Sequence, residues 1–304
     1  MVKLFYHKEF FNGWCSELAV LYPDLIKTQP IDDIRFNNLN IADLSYYFVD
    51  NILECDFVVL PFKWCGFNPN TNFILNECKT HDKKILVFYN DDNSSPIILD
   101  GYVFRTSLYK HVNNPNELGL PPFFEDEFKN EYIIPENIKL NIGFCGFDHY
   151  ERRQALNVLR NNPNIETDFI IRKSFWAREI DEQIAITEFN NNITKNLFGF
   201  TARGGGNFSY RFYQILSMGR IPILLNTDCV LPFDDLIDYN KHCLIVDVSD
   251  INNMDTKVIE YYNNKTKTEL YDIQLSNRLL YENFLSPSGF LKTLNFTLKK
   301  NKLN

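Results

Sequence analysis

Apolar residues in the first half of the chain come in short unbroken runs, with amphipathic stretches between them. Val2–His7 is apolar almost from the first residue, and Cys55–Phe62 and Lys84–Tyr89 are continuous runs with β-branched and aromatic members. Runs of this length without alternation predict strands buried on both faces. Trp14–Leu21 shows helical spacing before Pro23, Asp43–Leu53 is a second amphipathic stretch, and Asn72–His81 predicts a helix. Asn113–Pro135 breaks the pattern: it is long, carries Pro121-Pro122 and the acidic Glu125–Glu127, and reads as a domain exit and linker.

The alternation restarts at Leu140–Gly146, a strand closing on glycine. Arg152–Arg160 predicts a helix, Thr167–Ile171 a strand, Asp181–Asn190 a helix and Asn196–Phe200 a strand. Ser209–Met218 predicts a helix, and Arg220–Leu225 and His242–Asp247 two more strands. Two successive strand–helix series of similar size predict two doubly wound α/β domains, over 1–135 and 136–285. The tail, Ser286–Asn304, spaces Leu291, Leu294 and Leu298 as a helix does and ends in Lys299–Lys302. It is expected to return to the first domain, with peripheral membrane contact as the alternative.

Composition narrows the classes. With 304 residues, 45% hydrophobic and 15% aromatic, the chain has ample material for a folded core. Its formal charge of −8 argues against binding a nucleic-acid backbone. No apolar run approaches the roughly 20 residues of a membrane span, and the start has no apolar signal segment. Seven scattered cysteines, none spaced Cys-x-x-Cys, predict buried thiols in a reducing compartment.

The densest chemistry lies at Phe200–Gln214, between a predicted strand and a predicted helix, where ligands bind in an open α/β sheet. Gly204, Gly205 and Gly206 let a backbone approach a ligand closely. Ser209 is placed as the N-cap, so free helix N–H groups face the loop and favour a phosphate. Arg203 and Arg211 flank it and can add charge-assisted contacts to a diphosphate. A dinucleotide fingerprint is a poor alternative: Gly204–Ser209 ends in Ser and lies far from the amino-terminal strand where that motif belongs.

Arg203–Ile223, followed by Asn226–Phe233 and Ile237–Tyr239, resembles the carboxy-terminal signature of exostosin-like glycosyltransferases, glycosyltransferase family 47. Fainter echoes run through Asp56–Pro61, Lys84–Asp92, Phe104–Ser107, Ile142–Gly146 and Asp168–Lys173. The resemblance implies a GT-B fold, an α/β architecture of two Rossmann-like domains facing across a cleft. It further implies a nucleotide-sugar donor in the second domain, a UDP-sugar ahead of a GDP-sugar, and a glycan or glycoconjugate acceptor. Arg203, Gly204, Gly205 and Gly206 would cradle the diphosphate, with Asn207, Ser209, Tyr210 and Arg211 around the same site. Gln214 stands where many relatives carry a ribose-binding Glu. Arg172 and Lys173 are the next cationic candidates, and Asp228 with Leu231–Phe233 would shape the wall.

Glycosyl transfer needs a stabilised diphosphate leaving group and a base for the acceptor hydroxyl. Arg203 suits the first. For the base the candidates are Asp91 and Asp92, after a buried strand, and His7 with Glu9; Arg105 is either a cleft residue or a partner for one of these acids. The chain contains no Asp-x-Asp triplet and no zinc-ligand spacing, so a metal-independent enzyme is expected. The expected glycosyltransferase is an inverting one. A non-catalytic glycan- or nucleotide-binding protein is the alternative, raised by Gln214. The expected location is cytoplasmic, bacterial or viral in origin, because animal and plant relatives usually carry an amino-terminal Golgi anchor. Residues 1–140 hold 20 acids and 12 bases and the remainder 19 of each, so the acidic excess falls on the proposed acceptor half. A strongly anionic acceptor is therefore not expected.

Overall fold

The computed structural model describes residues 2–11, 46–112, 114–126, 138–149 and 151–302; the helix expected at Trp14–Leu21 lies outside them. The chain divides into two compact units. One comprises Met1–Asp126, Val230–Phe233 and Glu282–Asn304, the other Glu127–Cys229 and Asp234–Tyr281.

The first unit is built on strands β1 (Val2–Phe5), β2 (Tyr46–Phe48) and β3 (Phe57–Val59), then helix α1 (Pro69–Thr80), then β4 (Lys84–Tyr89), β5 (Gly101–Arg105) and β6 (Glu117–Gly119). All its strand pairs are parallel, in the order β2-β1-β3-β4-β5-β6. Asn68 starts α1 by accepting the Asn70 and Thr71 N–H groups, with Pro69 in the first turn. Side chains alternate across the sheet. Ile85 and Val87 pack with Val58, Ile74 and Cys78, while Phe88 stacks on Phe104 at 5.3 Å, with Phe290 edge-on to both.

Three sequence readings change here. The described part of the amphipathic stretch at Asp43–Leu53 holds strand β2 and enters a 3-10 turn at Ile52–Glu54, with Val49 and Ile52 packed against the first unit's core. Asn113–Pro135 is no simple linker: its described part supplies β6, and Leu120 and Phe123 are buried. The hydrophobic pattern does not predict strand β5. Its Arg105 and the Glu117 of β6 are both buried and joined at 2.7 Å, so two charged residues mask two strands.

The second unit runs β7 (Asn141–Phe147), α2 (Glu151–Asn161), β8 (Glu166–Arg172), α3 (Glu182–Lys195), β9 (Phe198–Ala202), α4 (Tyr210–Ser217), β10 (Ile221–Asn226), β11 (Leu244–Asp247), α5 (Met254–Asn263) and α6 (Lys267–Leu280). Its sheet is again parallel, ordered β11-β10-β9-β7-β8. Ile142, Phe144, Phe198, Phe200, Ile223 and Val246 fill its core against Leu156 and Leu159 of α2 and Val258 of α5. Gly199 lets α4 close onto β9, since a Cβ there would sit 2.5 Å from the Ile215 side chain.

The last helix, α7 (Pro287–Lys302), groups with the first unit. Its Phe290 meets Phe88, Phe104, Phe123 and Phe233. Phe233 and its neighbours 230–232 belong to that same unit, and Gly119 lies against Pro232. Leu231–Phe233, expected as a wall of the donor site, is therefore part of the first unit's packing. The architecture is α/β with two Rossmann-like units. No helix among the described residues is long and apolar enough to cross a membrane.

Candidate functional site

In each sheet the strand order reverses once, beside the first strand of the series: β1 against β3, and β7 against β9. The carboxyl ends of such a pair are where an α/β sheet opens a crevice for a ligand. At β7/β9 that position is crossed by Arg152, in the first turn of α2. Its guanidinium donates to the Phe147 carbonyl (3.1 Å), at the end of β7, and to the Ala202 (2.8 Å) and Arg203 (2.7 Å) carbonyls, at the end of β9. The side chain is buried, and burial followed by the neighbouring Arg203 pushes its pKa down to about 10.

Arg211, in the first turn of α4, repeats the theme. Its guanidinium donates to the Cys145 carbonyl, lies 4.4 Å over the Phe144 ring and carries a buried Nε without a hydrogen bond. Burial, and after it Arg152, pushes its pKa down to about 9. Both groups are still cations at neutral pH. Gly146 makes room for Arg211, because a Cβ there would collide with the guanidinium.

Arg203 follows β9 and meets Glu151, the first residue of α2, at 3.3 Å. Among the described residues Arg203 is the one of the three arginines in a salt bridge, while Arg152 and Arg211 bond to backbone carbonyls. A cation in the first turn of a helix opposes the helix dipole, yet α2 and α4 each carry one here. Desolvating a cation costs on the order of several kcal/mol, which Arg152 offsets with three carbonyl contacts. The arrangement has an excess of positive charge, and a multiply charged anion would relieve it.

The glycine loop closes through the Gly204 N–H, which donates to the Phe208 carbonyl at 2.8 Å. None of Gly204, Gly205 or Gly206 takes a positive φ. A Cβ on Gly204 would meet nothing nearer than the Phe208 carbonyl oxygen at 3.7 Å, so no protein atom demands glycine there. Ser209 occupies the N-cap position without capping; it accepts instead from the Thr201 hydroxyl at 2.9 Å. Asn207 is buried and accepts from the Thr227 hydroxyl at 2.6 Å. Tyr210 opens α4, and Gln214 sits half-buried one turn on. Asp228 adopts a left-handed backbone, φ 63°, in the turn after β10.

Two further cationic candidates stand at the end of β8, and Arg172 reaches the sulfur of Cys145, the residue whose carbonyl Arg211 bonds. Arg172 is largely buried and paired with Glu188 of α3. Lys173 is exposed in the turn after β8, where its N–H donates to Glu179 at 2.8 Å.

In the first unit, His7 lies just beyond β1 at the β1/β3 reversal. Its side chain is 12% exposed, with Nδ1 3.2 Å from a Glu9 carboxylate oxygen. Phe5, Phe73 and Phe10 surround the ring at 5.0, 5.4 and 5.8 Å, and the buried Nε2 has no hydrogen-bond partner. Asp91 is tied to Lys63 at 2.6 Å. Burial works to raise its pKa, but Lys63 and the Asn93 N–H outweigh it and hold the carboxyl below its ordinary range. Asp92 is exposed. Arg105 serves neither acid: it joins Glu117 and clamps the Asn93 and Ser95 carbonyls.

Sequence reading missed Arg152, Glu151 and His149. The signal was present: Arg152 and Arg153 open a predicted helix, the wrong sign for its dipole. His149 follows β7 and packs on Phe147 and Phe175 at 5.5 and 4.9 Å, and burial, then Arg152 and Arg203, lowers its pKa. Among the described residues no three His, Cys, Asp or Glu side chains form a group that could hold a metal ion.

No protein-family model and no curated protein sequence matches the chain. Solved structures are similar to it at low identity. A glycosyltransferase from Rickettsia africae ESF-5 is 11% identical, with 100% of this chain and 98% of that one covered and a TM-score of 0.48. TarM is 12% identical with a TM-score of 0.41, over 79% of this chain and 49% of its own, so the chain spans about half of TarM. The pneumococcal O-GlcNAc transferase GtfA, solved with UDP and GlcNAc, is 13% identical with a TM-score of 0.35, over 82% and 46%.

Proposed function

We propose that this chain is a glycosyltransferase that moves a sugar from a nucleoside-diphosphate donor to a hydroxyl of a glycan or glycoconjugate. The observation that carries the reading is the β7/β9 reversal, where Arg152 and Arg211 bond to backbone carbonyls and Arg203 to Glu151, beside a glycine loop. A diphosphate supplies the missing negative charge, and the start of α4 adds N–H groups to hold it. The Arg203–Ile223 segment resembles exostosin-like family 47, and within that family a UDP-sugar is the expected donor.

During transfer the bond from the anomeric carbon to the β-phosphate oxygen breaks and its electron pair leaves with the diphosphate. The guanidinium groups stabilise that charge as it develops, which is the work a metal ion does elsewhere, so this reading requires none. The acceptor oxygen bonds to the anomeric carbon in a single inverting displacement and gives its proton to a base. The candidate bases stay His7, Asp91 and Asp92. Asp91 is neutralised by Lys63.

Turnover of a panel of UDP- and GDP-sugars, with a mixed glycan acceptor set, tests the reading. Arg203→Ala is expected to lower kcat/KM by about 10²–10³, the scale for losing one donor to a developing anion. No turnover and no nucleotide binding by the native chain would defeat it. Gln214, an amide where relatives of the resembled family carry a carboxylate, favours a second reading as a non-catalytic nucleotide- or glycan-binding protein. Tight nucleotide binding with no turnover on any acceptor would select that one.

A further inference from the structure

We infer that the aromatic turn after β8, with Trp176 at its apex, stacks the nucleobase of the donor; this rests on the nucleotide reading above. The turn is unusual in its backbone. Trp176 (φ 67°) and Ala177 (φ 48°) are consecutive and both left-handed, a conformation that residues with a Cβ avoid. Hydrogen bonds hold it there. Glu179 accepts from the Lys173 N–H and the Ser174 hydroxyl, each at 2.8 Å. The Ser174 hydroxyl accepts from the Arg178 N–H at 3.2 Å, and the Ala177 carbonyl from the Ile180 N–H at 3.1 Å.

The strain sends two neighbouring rings to different places. Phe175 packs against Phe147 (5.2 Å) and His149 (4.9 Å) at the carboxyl end of β7. Trp176 is left 78% exposed. Its indole gains little from burial, so core packing does not account for the turn.

What Trp176 does approach is Tyr210, the residue that opens α4 after the glycine loop. The rings lie 6.2 Å apart at 68°, and Tyr210 in turn meets Phe208 at 5.8 Å. The contact is edge-on, so it leaves an indole face uncovered. Phe208, Tyr210 and Trp176 thus continue the loop that Arg203 and Gly204 begin.

A nucleoside diphosphate has this same order of chemistry: an anion, a ribose and a flat heteroaromatic ring. With the diphosphate at the arginines, the base is the part of the ligand that an exposed indole recognises by stacking. Stacking uses the face that every base has, so Trp176 supplies affinity for the base and not a choice between uracil and guanine.

Calorimetric titration of the full chain with UDP, GDP and inorganic pyrophosphate tests this. Trp176→Ala is expected to weaken UDP and GDP about ten-fold while leaving pyrophosphate unchanged, because only the base is stacked. Trp176→Phe keeps most of the affinity and loses the indole emission change that UDP produces in the native chain. Arg203→Ala, by contrast, weakens all three ligands. Native UDP affinity in Trp176→Ala, or an equal loss of UDP and pyrophosphate, would overturn the inference, as would an effect on acceptor KM alone. If the native chain binds pyrophosphate and UDP equally, the base site fails and the phosphate site stands. If it binds neither nucleotide, both fail.

Discussion

At the scale of single residues, charge placement separates scaffold from site. Arg105 is a scaffold cation: it is wholly buried, paired with Glu117 and bonded to two carbonyls that fix the 93–95 loop. Removing one member of such a pair leaves the other charge buried and uncompensated. Arg105→Met is therefore expected to cost about 3–5 kcal/mol in urea unfolding, and adding Glu117→Leu should recover part of it. Arg152 is also buried and Arg211 half-buried, but backbone carbonyls are their partners. Arg152 and Arg203 act on His149, whose pKa burial first and then these two arginines hold below the ordinary value near 6.5. Below that pH the unfolded chain takes up a proton that the native imidazole resists, so stability falls as pH falls. His242, lowered by burial, adds to the same slope. His149→Gln should flatten the stability profile below about pH 6.5, and UDP in the site should flatten it too. A profile unchanged by both would contradict the action of these groups on His149.

At the scale of elements, helix starts and sheet edges are where sequence and structure agree least. The strands of the second sheet were legible because they are continuous apolar runs: Leu140–Gly146 and Arg220–Leu225 fall on β7 and β10. Strands β5 and β6 were hidden because Arg105 and Glu117 read as surface residues until they are seen to neutralise each other twelve positions apart. The glycine loop could be found from its composition, whereas Arg152 could not be placed from spacing alone, since its partners come from two strands. Trp176 could not be singled out either: its importance lies in a backbone conformation that no local pattern announces. The carboxy-terminal helix was legible from Leu291, Leu294 and Leu298, all now buried, with Phe290 anchoring it among four other aromatic rings. Leu294→Ala is expected to destabilise the first unit by about 2–5 kcal/mol, a cavity cost. A thermal or urea shift well below that would show that α7 does not hold the sheet.

At the scale of the whole molecule, two parallel sheets of similar design place different chemistry at their strand-order reversals. The first puts an imidazole and a carboxylate beyond β1, within an aromatic ring set. The second gathers guanidinium groups beyond β7 and β9. The formal charge of −8 makes this concentration of cations a local feature set against the overall sign. The claim on which the rest depends is that this second position binds a nucleoside diphosphate. Calorimetric titration of UDP and GDP into the native chain and into Arg203→Ala measures it most directly. The account predicts saturable one-site binding to the native chain, weakened at least about ten-fold by the loss of one charge-assisted contact. It would be contradicted by a native chain that binds neither nucleotide, or by an Arg203→Ala chain that binds UDP as tightly as the native one.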